Sequence, residues 1–147
     1  MPESIFDDVK KQVRKHYPKE CGGIFIGKIN NDNEAVIEAM MVPNTFFSTR
    51  VLFVRVSGFL NKWLEKIFHQ SNGDLYYLGE WHSHPDAPPI PSWKDLNSMK
   101  KIAENPDKRI KTPLLLIIGF DVKSFNEKFY LFSNDKLVPY EKIIYEG

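Results

Sequence analysis

The order of apolar patterns along the chain is the feature that most restricts its fold. Segments with a helical repeat of apolar residues alternate with short β-branched and aromatic segments. This order predicts an α/β (α+β) fold, a single mixed β-sheet domain flanked by helices, over residues 1–147. Helices are predicted over residues 4–16, from Ser57 through Phe68, and over 92–104. Strands are predicted over residues 22–29, 34–42, 51–56, 75–84, 114–121 and 128–133, with a last one near 136–145.

Local signals set the ends of several elements. Ser4 and Asp7 are spaced as a capping box for the first helix, and Pro18 ends that helix. The polar run at residues 30–33 predicts a tight turn between the first two strands.

Composition excludes several classes of partner. The chain has 147 residues, which fits one domain, and a net charge of +1. So small a net charge predicts no nucleic-acid partner and no anionic membrane surface as a partner. Cys21 is the single cysteine, so an internal disulfide is excluded. Because the N-terminus lacks an apolar signal segment, a cytoplasmic protein is predicted.

Two histidines and two later polar residues carry the chemical signal. His82 and His84 are two apart on a predicted strand, so both side chains point to one face. Ser92 and Asp95 follow at the start of the next predicted helix. Zinc accepts imidazole nitrogen and carboxylate oxygen, and a catalytic site keeps one coordination position for water. His82, His84 and Asp95 are therefore candidate zinc ligands.

Each part of this pattern also has a structural explanation. Ser92 and Asp95 alone are spaced as a capping box, and two histidines on one strand face are often only a polar patch. Their joint spacing favours a metal site. Other metal patterns fit less well: Ala87 replaces the last histidine of a metallo-β-lactamase motif, and the chain has no His-Glu-x-x-His and no cysteine pair.

His-Ser-His-Pro followed at this distance by Ser-x-x-Asp resembles the motif of the JAMM family, also called MPN-plus or JAB domains. The resemblance implies a cytidine-deaminase-like JAMM/MPN fold and one Zn²⁺ held by His82, His84 and Asp95. It also implies that Glu20, in the Pro18–Gly27 segment, is the general base. The serine that helps to stabilise the tetrahedral intermediate falls on Ser92.

The run from Gly79 to Pro85 is similar to that of small bacterial JAMM proteases of CBASS-type anti-phage operons. This likeness implies an isopeptidase whose partner is a ubiquitin-like protein, or a protein conjugated by a bacterial ubiquitin-transfer-like system. Family members bind an extended substrate tail beside a sheet edge. Phe46, Phe47 and the Pro88–Pro91 loop are candidates to line that groove, although core or plain loop roles explain them equally well.

Three alternatives stay open from the sequence. Within the family, the chain could trim a sulfur-carrier protein. It could also be a non-catalytic MPN scaffold, although such domains usually lack a metal ligand and this chain lacks none. A hydrolase with Cys21 as nucleophile is the third, but glycines follow this cysteine at a strand start, which favours buried packing.

Overall fold

A computed structural model describes residues 1–42 and 61–147. Its helices are α1 (Glu3–His16), α2 (residues 61–70 of the described part) and α3 (Trp93–Glu104), with a short 3₁₀ helix at Pro106–Lys108. Its strands are β1 (Gly22–Ile29), β2 (Ala35–Met41), β3 (Tyr76–Pro85), β4 (Leu114–Phe120), β5 (Phe125–Ser133) and β6 (Lys136–Pro139). The predicted helices are confirmed where they are described. The predicted strand at 51–56 and the beginning of the helix at Ser57 lie outside the described residues.

The six strands form one mixed sheet in the order β2-β1-β3-β4-β5-β6. β3 and β4 are parallel, and the other neighbours are antiparallel. The parallel pair needs a crossover, which α3 supplies. The predicted fold class, a mixed α+β domain with one sheet, is confirmed.

Helices cover both faces of this sheet. α3 packs Met99 and Ala103 on one face, against a cluster that includes Leu115 and Ile117 of β4. α1 packs on the other face, where Trp81 of β3 lies in the larger core cluster with Phe6, Val9, Val13, Leu64, Leu116 and Ile118. Side chains of a strand alternate between faces, so β4 contributes Leu115 and Ile117 to one cluster and Leu116 and Ile118 to the other.

The predicted capping box at Ser4 and Asp7 is wrong. α1 begins one residue earlier, at Glu3, and its N-cap residue Pro2 makes no side-chain cap hydrogen bond. Instead, the Glu3 N–H donates to the backbone oxygen of Glu146 (2.8 Å). A segment distant in sequence therefore satisfies this first-turn donor, and a local sequence pattern cannot reveal such a contact.

The last strand is also shorter than predicted. β6 ends at Pro139, and beyond it Glu146 forms a parallel bridge with Pro2.

The described residues 1–42 and 61–147 contain no helix that is both long and apolar enough to span a bilayer.

Candidate metal centre

Strand alternation places His82 and His84 on the face that α3 covers. In the β3–β4 register His82 is opposite Ile117, a member of the α3-side cluster, whereas the neighbouring Trp81 is fully buried on the other face. Trp81 is therefore a core residue. The two Nε2 atoms of the histidines lie 3.1 Å apart, and His82 is buried. The strand therefore delivers two imidazole nitrogens to one point.

The first turn of α3 brings Asp95 to the same point. Ser92 is the N-cap: the Asp95 N–H donates to Ser92 Oγ (3.2 Å), and the Ser92 N–H donates to Asp95 Oδ2 (2.6 Å). Asp95 Oδ1 lies 3.2 Å from His82 Nε2, and Oδ2 lies 4.0 Å from His84 Nε2. The capping box and the candidate metal site are consequently one structure, in which the cap fixes the carboxylate that faces the histidines.

The loop after β3 fixes the orientation of His84. The Nδ1 atom of His84 lies 3.1 Å from the carbonyl oxygen of Pro88. The Tyr130 hydroxyl donates to the next carbonyl oxygen of the loop, that of Pro89, at 2.7 Å. Gly119 allows the close approach of this loop, since a Cβ there would lie 2.5 Å from the Ala87 oxygen. With Nδ1–H donating to Pro88, the Nε2 atom of His84 carries the lone pair that a metal needs.

The pairing of β1 with β3 brings Glu20 to the histidines. Gly22 is opposite His82, and the Ser83 N–H donates to the Cys21 oxygen at 2.9 Å, so Glu20 comes alongside His84. Ligand atoms of Glu20, His82 and His84 lie within 4.8 Å of one another, a grouping that could hold a metal ion. Unlike Asp95, which is 1% exposed, Glu20 is an exposed residue.

The donor set fits a tetrahedral metal ion. Zn–N distances of 2.0–2.1 Å place neighbouring ligand atoms about 3.3–3.4 Å apart in a tetrahedron. Two of the observed separations, 3.1 Å between the two Nε2 atoms and 3.2 Å between His82 Nε2 and Asp95 Oδ1, are close to that value, and the third, 4.0 Å between His84 Nε2 and Asp95 Oδ2, is longer. Two neutral imidazoles and a carboxylate are also a donor set that suits zinc.

The same geometry bears on Cys21. Its side chain is fully buried, and burial raises the pKa of the thiol to about 11, against a smaller opposite effect of the Ser83 hydroxyl. Since only a thiolate is a good nucleophile, this environment argues against a hydrolase that uses Cys21 as its nucleophile.

Several supporting residues could not be recognised from the sequence. The carbonyl oxygens of Pro88 and Pro89 and the hydroxyl of Tyr130 act through the loop conformation, which no local pattern encodes. Of the groove candidates, Phe46 and Phe47 lie outside the described residues, Pro89 is buried, and Ile90 is 63% exposed.

Comparison with known proteins agrees with this architecture. A protein of Enterobacter hormaechei named CD-NTase/cGAS isopeptidase is 34% identical over 122 residues, which are 80% of this chain and 65% of that protein. The chain thus aligns with less than two thirds of that relative. A probable metalloprotease of Sinorhizobium fredii is 28% identical over 80% of this chain and 73% of its own length.

A solved structure shares the fold. The JAB1/MPN domain protein of Archaeoglobus fulgidus superposes with a TM-score of 0.54 at 15% identity, over 97% of this chain and 94% of that one. The family model described as prokaryotic homologs of the JAB domain matches residues 2–131. The protein therefore belongs to the prokaryotic JAB-domain family.

Proposed function

We propose that this chain is a zinc-dependent isopeptidase. Its substrate would be a ubiquitin-like protein, or a protein joined to a target by a bacterial ubiquitin-transfer-like system, cleaved after its C-terminal tail. The single observation that carries the proposal is the meeting of the His82, His84 and Asp95 ligand atoms beside the Glu20 carboxylate. The names of the relatives, CD-NTase/cGAS isopeptidase and probable metalloprotease, support it. The proposal includes a role in anti-phage defence, which the resemblance of residues 79–85 to the CBASS-type proteases implies.

Two acids compete for the place of third ligand, and their burial separates them. A buried ionised carboxylate is costly unless it is paired or coordinates a metal, and the Asp95 side chain is 0% exposed. The exposed Glu20 has no such cost, and it is able to exchange protons with solvent. We therefore assign Asp95 as a ligand with the two histidines, and Glu20 as the general base.

A zinc ion in this site would supply a Lewis acid that activates water and polarises the scissile carbonyl. The Glu20 carboxylate would take a proton from the attacking water and give it to the leaving amine, so that the C–N bond breaks with a neutral leaving group. Ser92 is exposed at the N-terminus of α3. Its hydroxyl donates to Asp95 Oδ2 at 3.0 Å, and it would turn from this acceptor to donate to the developing oxyanion.

The test is Glu20→Ala on the purified protein, with a ubiquitin-like protein joined through an isopeptide bond as substrate. Loss of a general base is expected to lower kcat by about 10²–10⁴-fold. Zinc content, measured by elemental analysis, is expected to stay at that of the wild type. Glu38→Ala is the matched control, because Glu38 is an exposed glutamate of β2. Full activity of the Glu20 variant would refute the base assignment.

The same preparation decides between the alternatives. Stoichiometric zinc together with cleavage supports the isopeptidase, whereas a folded protein without zinc or cleavage supports a scaffold. A linear fusion to a sulfur-carrier protein, supplied in parallel, tests trimming of that substrate.

A further inference from the structure

The segment that carries Glu20 is tied to the histidine strand on both sides of the glutamate. On the C-terminal side, the Cys21 N–H donates to Ser83 Oγ at 3.0 Å, and the Ser83 N–H donates to the Cys21 oxygen at 2.9 Å. On the N-terminal side, the Tyr17 hydroxyl donates to Asp86 Oδ1 at 2.6 Å. Residues 17–21 and 83–86 thus form a closed ring of contacts with Glu20 inside it.

Both partners of the Tyr17–Asp86 hydrogen bond are held against Phe120. The Tyr17 ring contacts the Phe120 ring edge-on, with centroids 5.2 Å apart. The Asp86 N–H donates to the Phe120 oxygen at 2.9 Å, and Asp86 has a left-handed backbone with φ of 56°. A hydroxyl and a carboxylate that are each fixed by the end of β4 give this hydrogen bond a defined geometry.

The location of the bond indicates a positioning role. It lies near the surface, where a hydrogen bond adds little net stability because water competes for both groups. Its ends, however, lie three residues before Glu20 and two residues after His84. A general base must lie within hydrogen-bond reach of the proton that it takes, and small displacements are costly to the rate.

We infer that Tyr17, through its hydrogen bond to Asp86, is a positioning residue that holds the Glu20 carboxylate at its working distance from the histidine pair. The inference rests on the proposed function for the role of Glu20. The contact itself is independent of that role, which allows the two to fail separately.

Two pairs of variants test the contact. Tyr17→Phe removes the hydroxyl but keeps the ring against Phe120, and Tyr76→Phe is its control. Tyr76→Phe also removes one hydrogen bond, which the Ile29 N–H donates to the Tyr76 hydroxyl at 2.6 Å. This bond lies at the opposite end of β3. Asp86→Gly removes the acceptor and tolerates the left-handed backbone, whereas Asp86→Asn keeps an acceptor oxygen in the same place.

We expect Tyr17→Phe and Asp86→Gly to lower kcat about tenfold, with KM and the dissociation constant for zinc within about twofold of the wild type. Asp86→Asn and Tyr76→Phe should stay near the wild-type kcat. In a Glu20→Ala background, Tyr17→Phe should leave the residual rate unchanged, because the base that it positions is already absent. A purely structural role predicts an equal further loss there, and that result would overturn the inference.

A second measurement does not depend on activity. Hydrogen exchange of the backbone amides of residues 19–21 should be faster in Tyr17→Phe than in wild type or Tyr76→Phe, in zinc-loaded and zinc-free protein alike. Unchanged exchange would reject the positioning contact even if the isopeptidase proposal holds. Faster exchange in a protein that cleaves no conjugate would instead reject the proposed function and keep the contact.

Discussion

The two ends of β3 each carry a polar cluster, and the clusters differ in whether a lysine accompanies the carboxylate. At the first end, the Tyr77 hydroxyl donates to Glu80 Oε1 at 3.1 Å, and Lys108, itself buried, supplies an ammonium group near Glu80. At the other end, two imidazole nitrogens meet the carboxylate of Asp95. One strand therefore holds a cluster that contains its own lysine and a cluster whose donor set fits a metal ion.

This difference separates a polar cluster with a structural role from the proposed metal site. Lys108 donates to Asn61 Oδ1 at 2.6 Å, and its ammonium lies 5.4 Å from the centre of the Tyr77 ring. Burial lowers the pKa of Lys108, and the nearby Glu80 acts in the opposite direction. A lysine with these partners holds α2, β3 and the 3₁₀ helix together. The histidine end is instead bordered by the exposed Glu20 and Ser92, where a substrate can approach.

The largest expected effect comes from Asp95→Asn. Asparagine keeps the volume and an oxygen for the Ser92 N–H, so the cap of α3 is retained, but the anionic ligand is lost. We expect zinc affinity to fall more than about 100-fold and kcat/KM by at least about a thousandfold. Competition with a chelator measures the first, and isopeptide cleavage the second.

Glu80→Gln is the matched control for Asp95→Asn, because it removes one carboxylate charge from the other cluster of the same strand. It should leave zinc affinity and kcat within about twofold of the wild type. If the two variants bound zinc equally well, the distinction between the clusters would be lost.

A smaller effect is expected from Lys108→Met, which keeps the long apolar stem and removes the ammonium. Glu80 and Asn61 then lose a cationic partner, and we expect the free energy of unfolding to fall by about 2 kcal/mol. Zinc affinity and kcat should not change. Urea denaturation of zinc-free protein measures the loss, and a coupled loss of zinc would show that the two clusters act as one.

Most of the secondary structure could be predicted because it depends on local repeats. The helical repeat of apolar residues in α1 and α3, and the apolar strand β4, are visible in any short window. The prediction was wrong where a contact with a residue distant in sequence determines the local structure. Glu146 satisfies the first turn of α1 in place of Ser4, and a Pro2–Glu146 bridge replaces the end of the last strand.

The candidate site was partly predictable for the same reason. The spacing of His82, His84 and Asp95 is local and is tied to a strand and a helix start, so one window contains all three. Glu20 came only from the family resemblance, because its approach depends on the register of β1 with β3. The Tyr17–Asp86 contact spans a sequence separation of 69 residues and has no local signal.

The two clusters also differ in the residues that cover them. A test of this difference has the smallest expected effect on kinetics. Asn61 of α2 contacts the Lys108 cluster, whereas Trp93, which follows Ser92 directly, is 75% exposed. The loop before Trp93 is fixed by the hydrogen bonds of Pro88 and Pro89, so this indole is presented to solvent by a rigid support. An exposed tryptophan on a preorganised surface, next to the proposed oxyanion donor Ser92, is typical of a substrate contact.

Trp93→Ala should therefore raise KM roughly fivefold, equivalent to about 1 kcal/mol of lost binding, with kcat within about twofold. Ile144→Ala is the control. Ile144 is 53% exposed, but its carbonyl oxygen accepts from the Met1 ammonium, next to the start of α1. Tyr17 is the C-cap residue at the opposite end of α1, the end that lies near Glu20. The 14 residues of α1 span about 21 Å at 1.5 Å per residue, so Ile144 lies far from the histidine end. Steady-state kinetics on a folded conjugate measures both variants. An equal KM for the two variants would show that Trp93 does not contact the substrate, and this difference between the two clusters would be lost.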